Sequence, residues 1–347
     1  MINILCPIIY YRNSMEKISV IGMGSWGTTL AILLAEKGYN VLGWEWIKER
    51  ATLMQDQHEN KYFLPGISFP PNLTITNDLD EATVKADFII LAVPSHIVRK
   101  IMEGIRKVAP TKNIVNVAKG IENETMLRMS EIIHQVGNVP REQIVTLSGP
   151  THSEEVSKKL PATIVAASVS EVIAQKVQQL FMTNYFRVYR STDIIGVELG
   201  GSLKNVIAIG AGISDGMGLG DNTKAALITR GLREITRLGV ACGANPHTFS
   251  GVSGIGDLIV TCGSRHSRNR FVGEQLAKGK SLQEITSHME MIAEGIKTTK
   301  SAYQLSRKMN IDMPITDHIY QVLFEDLSPQ EGVTQLMTRS PRSEDEF

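Results

Sequence analysis

Two adjacent polar residues lie in a run crowded with glycine. Lys204 and Asn205 occupy the segment VELGGSLKNVIAIGAGISDGMGLGDN, whose glycines are Gly200, Gly201, Gly210, Gly212, Gly216, Gly218 and Gly220. Glycine costs about 0.8–1.0 kcal/mol relative to alanine inside a helix, so a periodic apolar run retains it where another group approaches the backbone. The pattern favours a chemical role for the lysine over the alternative, tight packing between helices.

A second polar cluster follows in GVSGIGDLIVTCGSRHSRNR. Asp257 and Thr261 are four residues apart and share a face if that turn is helical. The side chains after them that can donate to an anion are Arg265, Ser267, Arg268 and Asn269. The planar fork of arginine suits phosphate oxygens. A basic cluster alone is typical of a solvated face, but beside glycine turns and an acid this one predicts a phosphate site.

The elements that must position these groups begin at Lys17 with KISVIGMGSWGTTLAILLAEKGYNVLGWE, which has strand–helix–strand order. Gly22, Gly24 and Gly27 form GxGxxG directly after the first strand. The first glycine permits a tight turn, the second lets a pyrophosphate approach, and the third allows close packing of helix and strand. The segment predicts dinucleotide binding at the helix N-terminus, whereas the alternative is a glycine turn that only packs.

The choice between NAD and NADP depends on the end of the second strand. Glu45 lies at the ribose-recognition position, where an acid accepts hydrogen bonds from a free 2′-hydroxyl and repels a 2′-phosphate. This favours NAD. Lys48 and Arg50 follow closely and could instead bind a phosphate, so both cofactors remain open.

Further strands end in polar residues. Ser95 follows the buried strand in DFIILAVPSH, Lys119 follows the one in NIVNVAKG, and Gly149 and Thr151 follow the one in QIVTLSGPT. Ligands of open α/β sheets bind outside the carboxyl ends of the strands. Nicotinamide and substrate are therefore expected to meet at Ser95 and Lys119, although a lone lysine is more often a solvated surface residue.

The chain divides into two parts. TIVAAS and FRVYR complete the strand series, and beyond Ser191 the apolar spacing of three and four is helical. A length of 347 residues also exceeds the size at which single cores stop growing. We expect an α/β Rossmann-type N-terminal domain and an all-α C-terminal domain, divided into an extension (1–15), a dinucleotide domain (16–190), a helical domain (191–340) and a tail (341–347).

Composition excludes several classes of protein. The 36 basic and 36 acidic residues balance, which argues against nucleic-acid binding. Cys6, Cys242 and Cys262 are far apart without CxxC spacing, which fits a reducing cytoplasm. The eight histidines show no HExxH spacing, so we expect no metal. The apolar N-terminal stretch is too short to span a membrane, and translation from either Met1 or Met15 is compatible with the sequence.

Several motifs resemble one enzyme family. GMGSWG, VPSH, AKG, SGPT, GGSLKNVIAIGAG, GDLIVTC, SRNR, AEG and MPI occur in this order between about Lys17 and Leu336. They resemble bacterial NAD(P)-dependent glycerol-3-phosphate dehydrogenase, whose fold is of the 6-phosphogluconate dehydrogenase type. The resemblance implies that dihydroxyacetone phosphate is reduced with NADH or NADPH to sn-glycerol 3-phosphate for phospholipid synthesis. A homodimer is also expected, since it is the commonest symmetric assembly.

The resemblance also assigns roles to residues. Lys204 is the implied acid/base, Lys119 the group contacting both cofactor and substrate, and Asp257 the residue that orients Lys204. The implied substrate-binding residues are Lys119, Gly149, Thr151, Lys204, Asn205, Asp257, Thr261, Ser267, Arg268 and Asn269. The implied cofactor-binding residues are Gly22, Gly24, Ser25, Trp26, Gly27, Trp46, Lys119, Ser153, Arg268, Ile292 and Glu294. Ser153 replaces the usual alanine, and Trp46 replaces an arginine or histidine.

Two alternative functions fit part of this pattern. A 3-hydroxyacid or 6-phosphogluconate type dehydrogenase shares the two-domain organisation and also uses a lysine. A catalytically silent NAD-binding sensor would need only the glycine fingerprint. Lys119, Lys204 and Asp257 together argue against the sensor, because a sensor needs no proton donor.

Overall fold

The computed structural model describes residues 16–289, 292–341 and 343–344. The expected extension at residues 1–15, with the alternative start at Met15, lies outside the described residues, as does part of the expected tail. The described chain builds a sheet with flanking helices first and a set of helices second.

The N-terminal half contains an eight-stranded sheet in the order β3-β2-β1-β4-β5-β6-β7-β8. Strands β1 to β6 are parallel, and β7 and β8 run antiparallel to them. The strands are β1 (Lys17–Ile21), β2 (Asn40–Trp44), β3 (Leu73–Thr76), β4 (Phe88–Leu91), β5 (Asn113–Asn116), β6 (Ile144–Ser148), β7 (Ala162–Ala167) and β8 (Phe186–Ser191). This order places the switch point between β1 and β4, where dinucleotides bind in such sheets.

Helices cover both faces of the sheet and bury two apolar clusters. They are α1 (Ser25–Glu36), α2 (Lys48–Gln57), α3 (Leu79–Val84), α4 (Val98–Gly104), α5 (Met129–Gly137), α6 (Ser153–Val156) and α7 (Glu171–Phe181). Because helices bury both faces of the parallel strands, the sequences of these strands are almost continuously apolar.

The described residues after Ser191 are helical, as the apolar spacing predicts. The helices are α8 (Ile194–Gly216), α9 (Gly220–Ala241), α10 (Pro246–Phe249), α11 (Asp257–Gly263), α12 (Arg268–Ala277), α13 (Leu282–Ser287), α14 (Glu294–Lys308), α15 (Pro314–Phe324) and α16 (Pro329–Met337), with a π-helical turn at Val252–Gly256. The expected fold class, an α/β Rossmann-type domain followed by a helical domain, is confirmed.

Helix α8 is the centre of the helical half and also reaches the sheet. It packs against α9, α11, α12, α14 and α15, and its N-terminal part contacts β6. It is long and apolar enough to cross a membrane, but 94% of the relevant window is buried inside the protein. The apolar composition of α8 is therefore accounted for by its central position.

A buried carboxylate anchors α8 to the sheet domain. Glu198 accepts hydrogen bonds from the Ser130 amide at 2.8 Å and from the Ser130 hydroxyl at 2.6 Å. It also pairs with Arg128 at 2.6 Å. Because Glu198 lies six positions before Lys204, these contacts fix the segment of α8 that carries the lysine.

The glycines of α8 serve two purposes, which corrects the expectation that they mark chemistry rather than packing. A Cβ at Gly212 would overlap the Arg270 carbonyl, and one at Gly216 would lie 2.8 Å from the Glu274 carbonyl, so both glycines let α12 approach. A Cβ at Gly201 would instead collide with Ser148 and lie 3.7 Å from Lys119 Cδ. Packing between helices explains the C-terminal part of the run, and proximity to Lys119 explains its N-terminal part.

Replacing Gly212 with alanine should destabilise the fold by about 1–3 kcal/mol, because the added methyl group pushes α8 and α12 apart. Gly263→Ala is the matched control, since nothing lies within 4 Å of a Cβ there. Chemical denaturation of both variants measures the difference. Equal stability of the two variants would contradict the packing role.

Candidate active site

The loop between β1 and α1 has the geometry that a dinucleotide requires. Gly22 has a φ of +102°, which disfavours a side chain. A Cβ at Gly24 would meet nothing within 4 Å, so the backbone is open to a ligand, whereas one at Gly27 would overlap the Gly22 carbonyl. No side chain caps the N-terminus of α1. These residues fit a pyrophosphate bound against the first amides of α1.

The first two residues of α1 are held by neighbouring elements. Ser25 Oγ donates to the Phe63 carbonyl at 2.8 Å. The Trp26 ring packs against Phe186, with 6.3 Å between centroids. These contacts fix the start of α1.

The end of β2 presents different groups from those expected. Glu45 is buried, and its Oε1 accepts a hydrogen bond from the Ile47 amide at 3.1 Å. Burial raises the pKa of this carboxyl. Trp46 is 71% exposed, and the Arg50 guanidinium stacks over Tyr62, 4.9 Å from the ring centroid. Lys48, two residues after Trp46, is exposed as well. The end of β2 therefore presents an uncharged indole beside an exposed ammonium group.

Three charged groups form a chain across the two halves of the protein. Asp257, at the start of α11, accepts from Lys204 Nζ at 2.5 Å through Oδ1 and from Lys119 Nζ at 2.7 Å through Oδ2. Lys119 also donates to the Gly149 carbonyl at 3.1 Å, and Lys204 donates to the Thr261 hydroxyl at 2.6 Å. The side chains of Asp257 and Thr261 meet Lys204 together, which confirms that they share a helical face.

Two of the three charged groups are buried, and Lys119 is partly exposed. Lys204 is 6% exposed and Asp257 only 1%. Burial lowers the pKa of Lys204 to about 8; Asp257 raises it and Lys119 lowers it further. Desolvation therefore outweighs the attraction of the carboxylate, an outcome that sequence alone left open. A lysine with this pKa can both give and take a proton near neutral pH.

The residues after β6 lie next to the network. The Gly149 carbonyl is held by Lys119, and the Thr151 hydroxyl donates to the same carbonyl at 3.3 Å. Ser153 is buried as the first residue of α6. The candidate substrate residues Gly149 and Thr151 thus face the lysine pair, and Ser153 follows directly behind them.

The expected phosphate cluster surrounds the start of α12. Ser267 caps this helix by accepting from the Arg270 amide at 3.2 Å, and Arg268 donates to the Ile292 carbonyl at 2.7 Å. Asn269 donates to Asn205 Oδ1 at 2.9 Å. Since Asn205 adjoins Lys204 on α8, the cluster and the lysine belong to one site. Arg265 is exposed, with no contact to these residues among the described bonds.

A further link between the halves was not anticipated from the sequence. Glu294, the first residue of α14, accepts from the Ser95 amide at 3.0 Å and from the Ser95 hydroxyl at 2.6 Å. A Cβ at Gly120 would collide with Ser95. Pro94 marks the strand end in the sequence, but no spacing reveals a partner 199 positions away.

The structure therefore separates the candidate residues into two groups. One group includes the two lysines and is joined to the start of α12 through the Asn205–Asn269 bond; it comprises Lys119, Gly149, Thr151, Lys204, Asn205, Asp257, Thr261, Ser267, Arg268 and Asn269. The other group lies along the β1–α1 loop, the start of α1 and the end of β2, and comprises Gly22, Gly24, Ser25, Trp26, Gly27 and Trp46. Ile292 and Glu294 connect the first group to the strand end at Ser95. A dinucleotide fold joined to a buried lysine network defines a two-domain nicotinamide-dependent dehydrogenase.

Comparison with known proteins identifies the family. Models of the N-terminus and the C-terminus of NAD-dependent glycerol-3-phosphate dehydrogenase match residues 17–174 and 193–334. The chain belongs to this family. It is 53% identical to glycerol-3-phosphate dehydrogenase [NAD(P)+] of Chlorobium phaeobacteroides (strain BS1), covering 94% of this chain and 99% of that one. The corresponding protein of Citrifermentans bemidjiense is 50% identical, with 95% and 99% covered.

A solved structure gives the same result. The crystal structure of glycerol-3-phosphate dehydrogenase from Coxiella burnetii superposes with a TM-score of 0.89 at 36% identity, covering 93% of this chain and 99% of that one. Both domains are therefore matched by a member of the family.

Proposed function

We propose that the protein interconverts dihydroxyacetone phosphate and sn-glycerol 3-phosphate with NAD(H) or NADP(H), supplying glycerol phosphate for phospholipid synthesis. The observation that carries the proposal is the Lys119–Asp257–Lys204 network, with Asp257 and Lys204 buried, between a dinucleotide loop and the Arg268 cluster. Family membership supports the same substrate. Residues 16–190 would hold the dinucleotide, and residues 191–340 would supply Lys204 and the phosphate-binding groups.

When bound, the nicotinamide supplies the hydride in reduction and accepts it in oxidation. Lys204 donates a proton to the C2 oxygen during reduction and removes it during oxidation. Lys119 stabilises the negative charge on that oxygen. Asp257 holds both ammonium groups in place, and exclusion of water from the network strengthens these interactions.

The other roles follow from position. Arg268, Asn269 and Ser267 would bind the phosphate, with Gly149, Thr151, Asn205 and Thr261 around the carbon chain. The glycines Gly22, Gly24 and Gly27, with the backbone of Ser25 and Trp26, would hold the pyrophosphate. Ser153, Ile292 and Glu294 would lie along the nicotinamide half, and Trp46 would lie at the adenosine end. An exposed indole there offers no charge to a 2′-phosphate, whereas the exposed Lys48 does, so NADH and NADPH are both proposed as cofactors.

We also propose that the protein acts in the cytoplasm as a homodimer. Cys242 and Cys262 are free thiols, as expected in a reducing compartment. Light scattering should then give about twice the chain mass of 38.2 kDa.

Replacing Lys204 with alanine should lower kcat for dihydroxyacetone phosphate by about 10²–10⁴-fold, because a positioned proton donor is lost. The dissociation constant of NADH should change little. Steady-state absorbance kinetics with NADH and with NADPH measure the effect, and the exposed Lys280→Ala is the control. Near-normal turnover of the Lys204 variant would refute its role, and no turnover by the unchanged protein would refute the function.

The pH profile should report Lys204. Reduction needs its ammonium form, so kcat/KM for dihydroxyacetone phosphate should fall as the pH rises through about 8. Oxidation needs the neutral amine, so kcat/KM for glycerol 3-phosphate should rise over the same range. Profiles for both directions, measured with each nucleotide saturating, test this pair of opposite slopes. Parallel slopes would be inconsistent with a single acid/base group.

Replacing Arg268 with alanine should raise KM for dihydroxyacetone phosphate by about tenfold or more, since charge-assisted contacts to phosphate are lost. KM for dihydroxyacetone, which lacks the phosphate, should change little. Arg265→Ala removes a charge from the same loop and is the matched control. An equal effect of Arg268→Ala on both substrates would argue against phosphate binding and would favour a different dehydrogenase substrate.

A further inference from the structure

His152 lies among the proposed substrate residues but has no assigned role so far. It follows Thr151 in the chain and precedes the first residue of α6. Its ring centroid lies 5.8 Å from that of His266, the residue before Ser267. Lys204 is near enough to influence its charge. His152 thus stands between the turn after β6, the loop before α12 and the proposed acid/base.

The ring carries a polar atom whose hydrogen bond is missing. His152 Nε2 is buried and has no partner within the described part of the chain. Ser148 Oγ, at the end of β6 beside Gly201 and Lys119, is also buried without a partner there. Most buried polar side-chain atoms are hydrogen-bonded, to protein or to another molecule. These two unpartnered atoms, one of them beside Lys119, therefore indicate that a polar ligand binds here.

The protonation state of His152 indicates which kind of ligand group it can bind. Burial lowers the pKa of this histidine, and Lys204 lowers it further, although Glu154 and Glu155 raise it. A neutral imidazole offers one donor and one acceptor nitrogen. This matches a hydroxyl group, which both donates and accepts, better than it matches a phosphate dianion.

The substrate has one polar group without a proposed partner. Arg268 and its neighbours would take the phosphate, and Lys204 and Lys119 the C2 oxygen, which leaves the hydroxyl on C1. We propose that His152 Nε2 hydrogen-bonds this hydroxyl and thereby selects a hydroxymethyl ketone as substrate. The inference rests on the proposed function and adds a specificity-determining residue to it.

The test compares dihydroxyacetone phosphate with hydroxyacetone phosphate, which has a methyl group in place of the C1 hydroxymethyl. His152→Phe keeps an aromatic ring beside His266 but removes the nitrogen. It should lower kcat/KM for dihydroxyacetone phosphate about tenfold, the loss of one good hydrogen bond. The value for hydroxyacetone phosphate should stay within about twofold, which also shows that the variant is folded.

Two further variants separate hydrogen bonding from packing. His152→Gln places an amide near the Nε2 position and should restore most of the preference for dihydroxyacetone phosphate. His266→Phe leaves Nε2 intact and should not change the ratio of the two kcat/KM values. If His152→Phe does not fold, as judged by circular dichroism, His152→Asn replaces it, because its shorter amide does not reach the Nε2 position.

Equal losses on both substrates would overturn the inference. So would an unchanged substrate ratio accompanied by weaker NADH binding, since the histidine would then contact the cofactor. Absence of dihydroxyacetone phosphate turnover in the unchanged protein is a separate outcome: it rejects the proposed function before any variant is compared.

Discussion

The site depends on one buried carboxylate that binds two ammonium groups. Asp257 contacts Lys119 from the sheet domain and Lys204 from α8, through separate oxygens. Burial lowers the pKa of Lys204, while the Asp257 carboxylate raises it. The shared carboxylate brings Lys119 and Lys204 close enough to act on one substrate oxygen. Because desolvation outweighs the attraction of the carboxylate, Lys204 has a pKa of about 8.

The rest of the fold holds these three groups in fixed relative positions. Glu198 ties α8 to Arg128 and Ser130 on the sheet side, and the small residues of α8 bring α12 alongside it. Helix α12 in turn carries Arg268 and Asn269, so the proposed phosphate site lies at a fixed offset from Lys204. One helix therefore positions both the proposed proton-transfer group and the proposed anion-binding cluster.

Much of this arrangement could be predicted from the sequence, because it depends on local patterns. The glycine fingerprint after β1, the helical spacing of Asp257 and Thr261, and the polar residues at strand ends all lie within short segments. The bridge from Asp257 to Lys119 joins residues 138 positions apart, and no local period encodes it. The pKa of Lys204 could not be predicted, because it depends on how deeply the side chain is buried. The packing role of Gly212 could not be predicted either, because periodicity does not identify its neighbour Arg270.

The contact between Glu294 and Ser95 links the two proposed binding sites. Two residues before Glu294, the Ile292 carbonyl accepts a hydrogen bond from the Arg268 guanidinium, so residues 292–294 contact both the strand end and the arginine proposed to bind phosphate. If one ligand displaced Ile292 and Glu294, the affinity for the other ligand would change. Thermodynamic linkage requires this influence to be mutual, by the same factor in each direction.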